Sequence, residues 1–117
     1  MTTPNLYLCG PMTGLPDDNF PAFMAAAKQL RDAGYMVVNP AEGGLYRQAP
    51  WENHMRFDIV RMMREAHAVA TLPGCESSRG AVVEIGLTTG LGWRVCTVDE
   101  WLEFARTARE AEQLMEG

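Results

Sequence analysis

Two acids, a tyrosine and a serine-arginine loop are the residues whose types and surroundings could carry chemistry. Asp58 falls inside a helical stripe: at about 100° per residue it lies close in azimuth to Trp51, Met55 and Met62, which are apolar. A carboxylate on a core face needs a partner, and two readings stand. Either it forms a buried ion pair or a bond to a loop amide, or the stripe emerges at a crevice and desolvation raises its pKa for acid or base work. Glu84 follows Gly80 and Ala81 by about one turn, and their small size leaves space beside it. Its spacing puts it off the face of Val82, Ile85 and Gly86, which fits a solvated helix residue, whereas its place behind a glycine-containing loop fits a site.

Tyr7 sits inside a short apolar run, where a core aromatic with a satisfied hydroxyl is the ordinary outcome and a catalytic phenol the sharper one. Ser77 and Ser78 are suited to cap a helix. His54 reads as a helix-face residue and His67 as the residue leading into a strand, neither with a second ligand at metal spacing. The three cysteines, Cys9, Cys75 and Cys96, form no CxxC pair, which argues against both a disulfide framework and a structural metal.

Elements that could position these groups alternate along the chain. Residues 5–9 and 35–38 are short apolar runs ending at Gly10-Pro11 and Asn39-Pro40. Between them Asp17, Asp18 or Asn19 can cap a helix burying Phe20, Phe23, Met24, Ala27 and Leu30, with Gly34 as its stop. A Gly- and Pro-rich loop over 40–50 precedes a helix carrying Trp51, Met55, Ile59, Met62 and Ala66. A strand over 68–72, a helix over about 79–91, a strand over 94–98 and a last amphipathic helix capped by Asp99 complete the chain.

This alternation predicts one α/β domain over residues 1–117, a three-layer Rossmann- or flavodoxin-like fold with a parallel sheet of about four strands in the order 2-1-3-4. In that order ligands sit at the switch point between the first and third strands. Two loops flank it, one running from Gly10, Pro11 and Met12 to Pro16, the other from Pro73 and Gly74 through Ser78, Arg79 and Gly80. Each leads into a helix N-terminus, whose free amides favour a small anion such as phosphate, and Ser78 and Arg79 could add donors.

Composition narrows the partners. The 117 residues carry 10 basic and 15 acidic side chains and are 47% hydrophobic, an ordinary globular balance. Residues 99–117 hold −4 of the net −5, so the body is nearly neutral and has no basic stripe for polymeric nucleic acid. No apolar run approaches the length of a membrane span, and the first residues lack a signal-peptide pattern, so a cytoplasmic location is expected. There is no P-loop, and Gly10 and Gly14 do not spell GxGxxG, which disfavours an ordinary dinucleotide site.

The run Tyr7-Leu8-Cys9-Gly10-Pro11-Met12, then Asp58, then Ser78-Arg79-Gly80-Ala81-Val82-Val83-Glu84 resembles the nucleoside 2-deoxyribosyltransferase superfamily over most of residues 5–98. The strings GPMTGLP, NPAE, LPG and SRGA are also similar to a family of small phage and bacterial proteins catalogued as a domain of unknown function and placed near that superfamily. The resemblance implies an N-glycosidase or 2-deoxyribosyltransferase acting on a small nucleoside or nucleoside 5′-monophosphate without a cofactor. Glu84 would be the nucleophile, Asp58 the acid/base and Tyr7 the orienter of Glu84. Gly10, Pro11, Met12, Pro73, Gly74, Ser78, Arg79 and Gly80 would line the substrate. It also implies a homodimer or higher homo-oligomer that completes the site.

Two departures stand out. The nucleoside transferases of the superfamily carry Asp where this chain has Ser78, and serine there is similar to the deoxynucleoside 5′-monophosphate N-hydrolases, in which it contacts phosphate. Those enzymes also borrow residues from a neighbouring subunit's C-terminal part, and no residue of 99–117 matches that role. The rival expectations are a non-catalytic nucleotide-binding module, a sensor or sponge, and a structural or interaction protein. Glu84 buried beside Asp58 separates the first reading from Glu84 in open solvent.

Overall fold

The computed structural model describes residues 3–43 and 49–116, so residues 44–48 of the expected 40–50 loop lie outside the described residues. The strands are β1 (Leu6–Cys9), β2 (Val37–Val38), β3 (Ala68–Thr71) and β4 (Val95–Thr97). The helices are α1 (Phe20–Asp32), α2 (Trp51–Glu65), α3 (Arg79–Gly90) and α4 (Val98–Glu116), with short 3-10 turns at Pro16–Asn19 and Cys75–Ser77. The described strands form one all-parallel sheet in the order β2-β1-β3-β4, as the alternation predicts.

β1 is central because it is apolar on both faces and all four of its residues are buried. It pairs Tyr7 with Val38 on one side and with Val69 on the other. The strand's period of two divides the core into two halves. Leu6 and Leu8 join Ala68, Ala70 and the apolar sides of α1 and α4, including Phe23, Leu30 and Trp101. Tyr7 and Cys9 face the other way, onto Val69, Met62 of α2 and Ala81 of α3. Every odd-numbered residue of β1 is therefore delivered to the layer that holds α2 and α3.

Several helix ends and faces differ from expectation. Asn19 takes the N-cap position of α1, one of the three candidates, but at a positive φ shared with Asp17 and Asp18 it makes no side-chain capping bond, and its amide donates instead to the Pro11 carbonyl at 3.0 Å. Met24 is nearly half exposed rather than in the core, and its sulfur accepts from the buried Asn39 amide at 3.4 Å. Gly34 does stop α1, at a φ of +104° that an L side chain rarely adopts. α4 is capped by Thr97, not Asp99. The Thr97 hydroxyl accepts from the Glu100 amide at 3.1 Å while the Glu100 carboxylate accepts from the Thr97 amide at 2.8 Å, a reciprocal capping box.

The largest departure is the rotation of α3. Its buried stripe is Ala81, Glu84 and Thr88, while Val82 is 52% and Val83 44% exposed. The helix turns its small and polar residues inward because β1 and β3 lie close beneath it, and Thr88 is absorbed by donating to the Glu84 carbonyl at 2.8 Å. Glu84, 6% exposed, is carried into the core layer, which removes the solvated-residue reading.

Candidate active site

Glu84 meets β1 at two points. The Tyr7 hydroxyl donates to Glu84 Oε2 at 2.7 Å, and the Cys9 thiol lies 3.4 Å from Oε1, within donating distance. Tyr7 and Cys9 are two residues apart on one strand face, so their side chains stand side by side against the second turn of α3. Ala81, one turn before Glu84, leaves room for the strand to approach.

Electrostatics fix which groups carry charge. Burial pushes the Glu84 carboxyl up to about 7; the hydrogen bonds from Tyr7 and Cys9 oppose that rise, and the charge of Asp58 adds to it. Burial likewise holds Tyr7 well above the usual phenol range, reinforced by the charges of Glu84 and Asp58, so Tyr7 remains a donor. Asp58 is half-buried on α2, and desolvation pushes it up to about 6 against the opposing fields of His54 and Arg61. Among the described residues no hydrogen bond or ion pair of 4 Å or less holds the Asp58 carboxylate, so a structural ion pair does not account for it.

The flanking loops are adjacent, as the topology predicts. A Cβ at Gly74 would come 3.3 Å from the Pro11 ring, and Gly74 itself sits at a φ of +86°. A Cβ at Gly10 would come 2.8 Å from that of Leu72, so glycine there lets the two loops leave β1 and β3 in contact. Met12 packs against the α1–α4 half of the core, away from the layer of Tyr7 and Glu84, and Pro73 is exposed. These two do not join the carboxylate cluster.

Ser78 is the N-cap of α3, its Oγ accepting from the Ala81 amide at 3.3 Å. Arg79 lays its guanidinium over the Trp51 ring, 3.9 Å from the centroid, which leaves the in-plane N–H donors unspent by the stacking. Gly80 sits beneath the Met55 sulfur, where a Cβ would be 3.1 Å away. The start of α3 is thus joined to the start of α2 by Trp51, Met55, Arg79 and Gly80. Sequence reasoning missed this stack and missed Cys9 as a partner of Glu84. The signal for Cys9 was its place two residues beyond Tyr7, on the same side of an extended strand.

Among the described residues no group of three or more His, Cys, Asp or Glu is arranged to hold a metal ion. None of their helices is long and apolar enough to cross a membrane. Fold and site together define a small doubly wound α/β domain whose central strand clamps a buried carboxylate, with a second desolvated carboxylate acting on it from the neighbouring helix. The chain belongs to the family described as Domain of unknown function (DUF4406), whose model matches residues 4–97, a span that holds every residue of the site. No curated protein and no solved structure matches the chain.

Proposed function

We propose that the protein is an N-glycosidase or 2-deoxyribosyltransferase that cleaves the bond between base and sugar of a small deoxynucleoside or its 5′-monophosphate. The observation that carries this reading is the buried Glu84 carboxylate, held by Tyr7 at 2.7 Å and under the influence of Asp58. Two carboxyl groups of which one can attack while the other donates a proton are what an oxocarbenium-like transition state requires. Ionised Glu84 attacks the anomeric carbon and forms a glycosyl ester. Asp58, protonated, gives its proton to the departing base and then, ionised, takes one from the water or second base that resolves the ester. Tyr7 keeps Glu84 aimed by holding Oε2.

The start of α3 supports a phosphate-bearing substrate. Its free amides and the N–H edge of Arg79 favour an anion, although the Ser78 oxygen is engaged as the cap. We read the protein as a homodimer, supported by the apolar side chains that α3 and its C-cap residue turn outward: Val82, Val83 and Leu87 of the helix and Leu91 just beyond it are all more than a third exposed.

Released base is the direct readout. Wild-type protein incubated with a panel of deoxynucleosides and their monophosphates is expected to free the base from at least one member. Tight binding of a nucleotide with no release would replace this reading by that of a non-catalytic binding module.

A further inference from the structure

Cys9 is 1% exposed and its thiol faces two acceptors, Glu84 Oε1 at 3.4 Å and the Ala81 carbonyl at 3.6 Å. A thiol has one hydrogen, so it serves one acceptor at a time. Burial and the neighbouring Glu84 charge hold it protonated, so here it is a donor and not a nucleophile. The Tyr7 bond to Oε2, at 2.7 Å, is made by a strong donor, whereas the thiol bond to Oε1, at a distance ordinary for sulfur, is made by a weak one. The two oxygens of Glu84 are therefore unequal, and Oε1 is the one more easily released.

We propose that Cys9 is a positioning residue for Glu84: its thiol holds Oε1 while Tyr7 holds Oε2, and it frees Oε1 for attack by turning its hydrogen to the Ala81 carbonyl. The inference rests on the reading of Glu84 as nucleophile. In the step itself the bond from Oε1 to the anomeric carbon forms, the bond from that carbon to the base nitrogen breaks, and the base keeps the electron pair and receives the Asp58 proton. Tyr7 stays on Oε2, which becomes the carbonyl oxygen of the ester. The thiol hydrogen moves only between acceptors.

The test is the titration of the Glu84 carboxyl, followed by carbon NMR of the labelled side chain in substrate-free protein. The groups acting on Glu84 are Tyr7 and Cys9 from β1 and Asp58 from α2, so a change at Cys9 is read against two constant neighbours. Cys9→Ala is expected to raise the Glu84 midpoint by about half a pH unit, since a donor to the ionised form is lost. Cys9→Ser, which puts a stronger donor in place of a weak one, is expected to lower it below the wild-type value. A role in packing alone would move thermal stability in both variants and leave both midpoints where they are in wild type, which would overturn the proposal. If Cys9→Ala does not fold, the serine variant decides: a midpoint below wild type supports the proposal, and one at or above wild type overturns it.

Base release separates this proposal from the one beneath it. Absence of release by wild type, with the midpoints shifted as expected, would sink the glycosidase reading and leave Cys9 as a donor to Glu84. Normal release with unmoved midpoints would sink only the role of Cys9. Where release occurs, Cys9→Ser is expected to lower kcat several-fold with KM unchanged, because a hydroxyl yields Oε1 less readily than a thiol.

Discussion

The hydroxyl of Tyr7 and the carboxylate of Glu84, separated by 77 positions in sequence, meet at 2.7 Å in the buried layer between the sheet and α3. A phenol kept protonated by burial gives Glu84 a donor that favours its ionised form, against a desolvation that favours the neutral one. The balance leaves the carboxyl at about 7, so near neutral pH a large fraction is available as an anion.

Tyr7→Phe removes that donor with little change in volume. A hydrogen bond to a charged group is worth about 1.5–3 kcal/mol, so kcat is expected to fall roughly 10- to 100-fold, with the acid limb of the pH profile moving upward. Steady-state kinetics across pH checks this. An unchanged limb would show that Tyr7 does not hold the working carboxylate.

The pH profile of the wild type follows from two values. Glu84 must be ionised and Asp58 protonated, with Glu84 at about 7 and Asp58 at about 6. The productive pair is then a minority species, most populated at about pH 6.5, and the two limbs belong to the coupled pair. A bell-shaped kcat/KM with its maximum there is expected. Asp58→Asn should abolish the alkaline limb and cost least with substrates whose base leaves easily.

Glu84→Gln is expected to abolish turnover, by roughly 10³-fold or more, because an amide of the same volume is no anionic nucleophile. It should also stabilise the fold. The folded value of about 7 lies above the ordinary 4.5, so the contribution of Glu84 to stability is complete below about pH 4.5 and lost as pH rises through 7. Removing the charge should add up to about 3 kcal/mol at pH 8 and almost nothing at pH 4. Thermal melts of both proteins at the two pH values measure the difference.

Preference for phosphate is expected to depend on the start of α3. Ser78→Asp keeps a helix cap but adds a negative charge, so binding of deoxynucleoside monophosphates should weaken while that of deoxynucleosides does not. Calorimetry at low and high salt separates the two. Equal affinities for both ligands, indifferent to salt and to the substitution, would show that no phosphate site exists there.

The topology was legible because the first three strands are short apolar runs closed by Gly-Pro, Asn-Pro or Pro-Gly, the fourth is a short run before an acidic amphipathic helix, and each crossover carries a helical stripe. Tyr7, Asp58 and Glu84 could be named, but the orientation of Glu84 could not. α3 has apolar residues all round, so its periodicity is weak, and close approach of the sheet selected the small residues Ala81 and Thr88 as its inner stripe. The strand's period of two puts Cys9 on the face of Tyr7, but which oxygen of a residue 75 positions away it meets is set by the packing of α3 and is not written in that period. Thr97 lost to Asp99 as the expected cap because the strand ends one residue earlier than its apolar run suggests.

The central claim is that Glu84 bonds to the sugar during turnover. Wild-type protein mixed with a cleavable deoxynucleotide, quenched in acid and digested, should yield the peptide containing Glu84 with the added mass of a deoxyribosyl phosphate, and Glu84→Gln should yield none. An adduct on any other residue, or base release by Glu84→Gln at the wild-type rate, would contradict it.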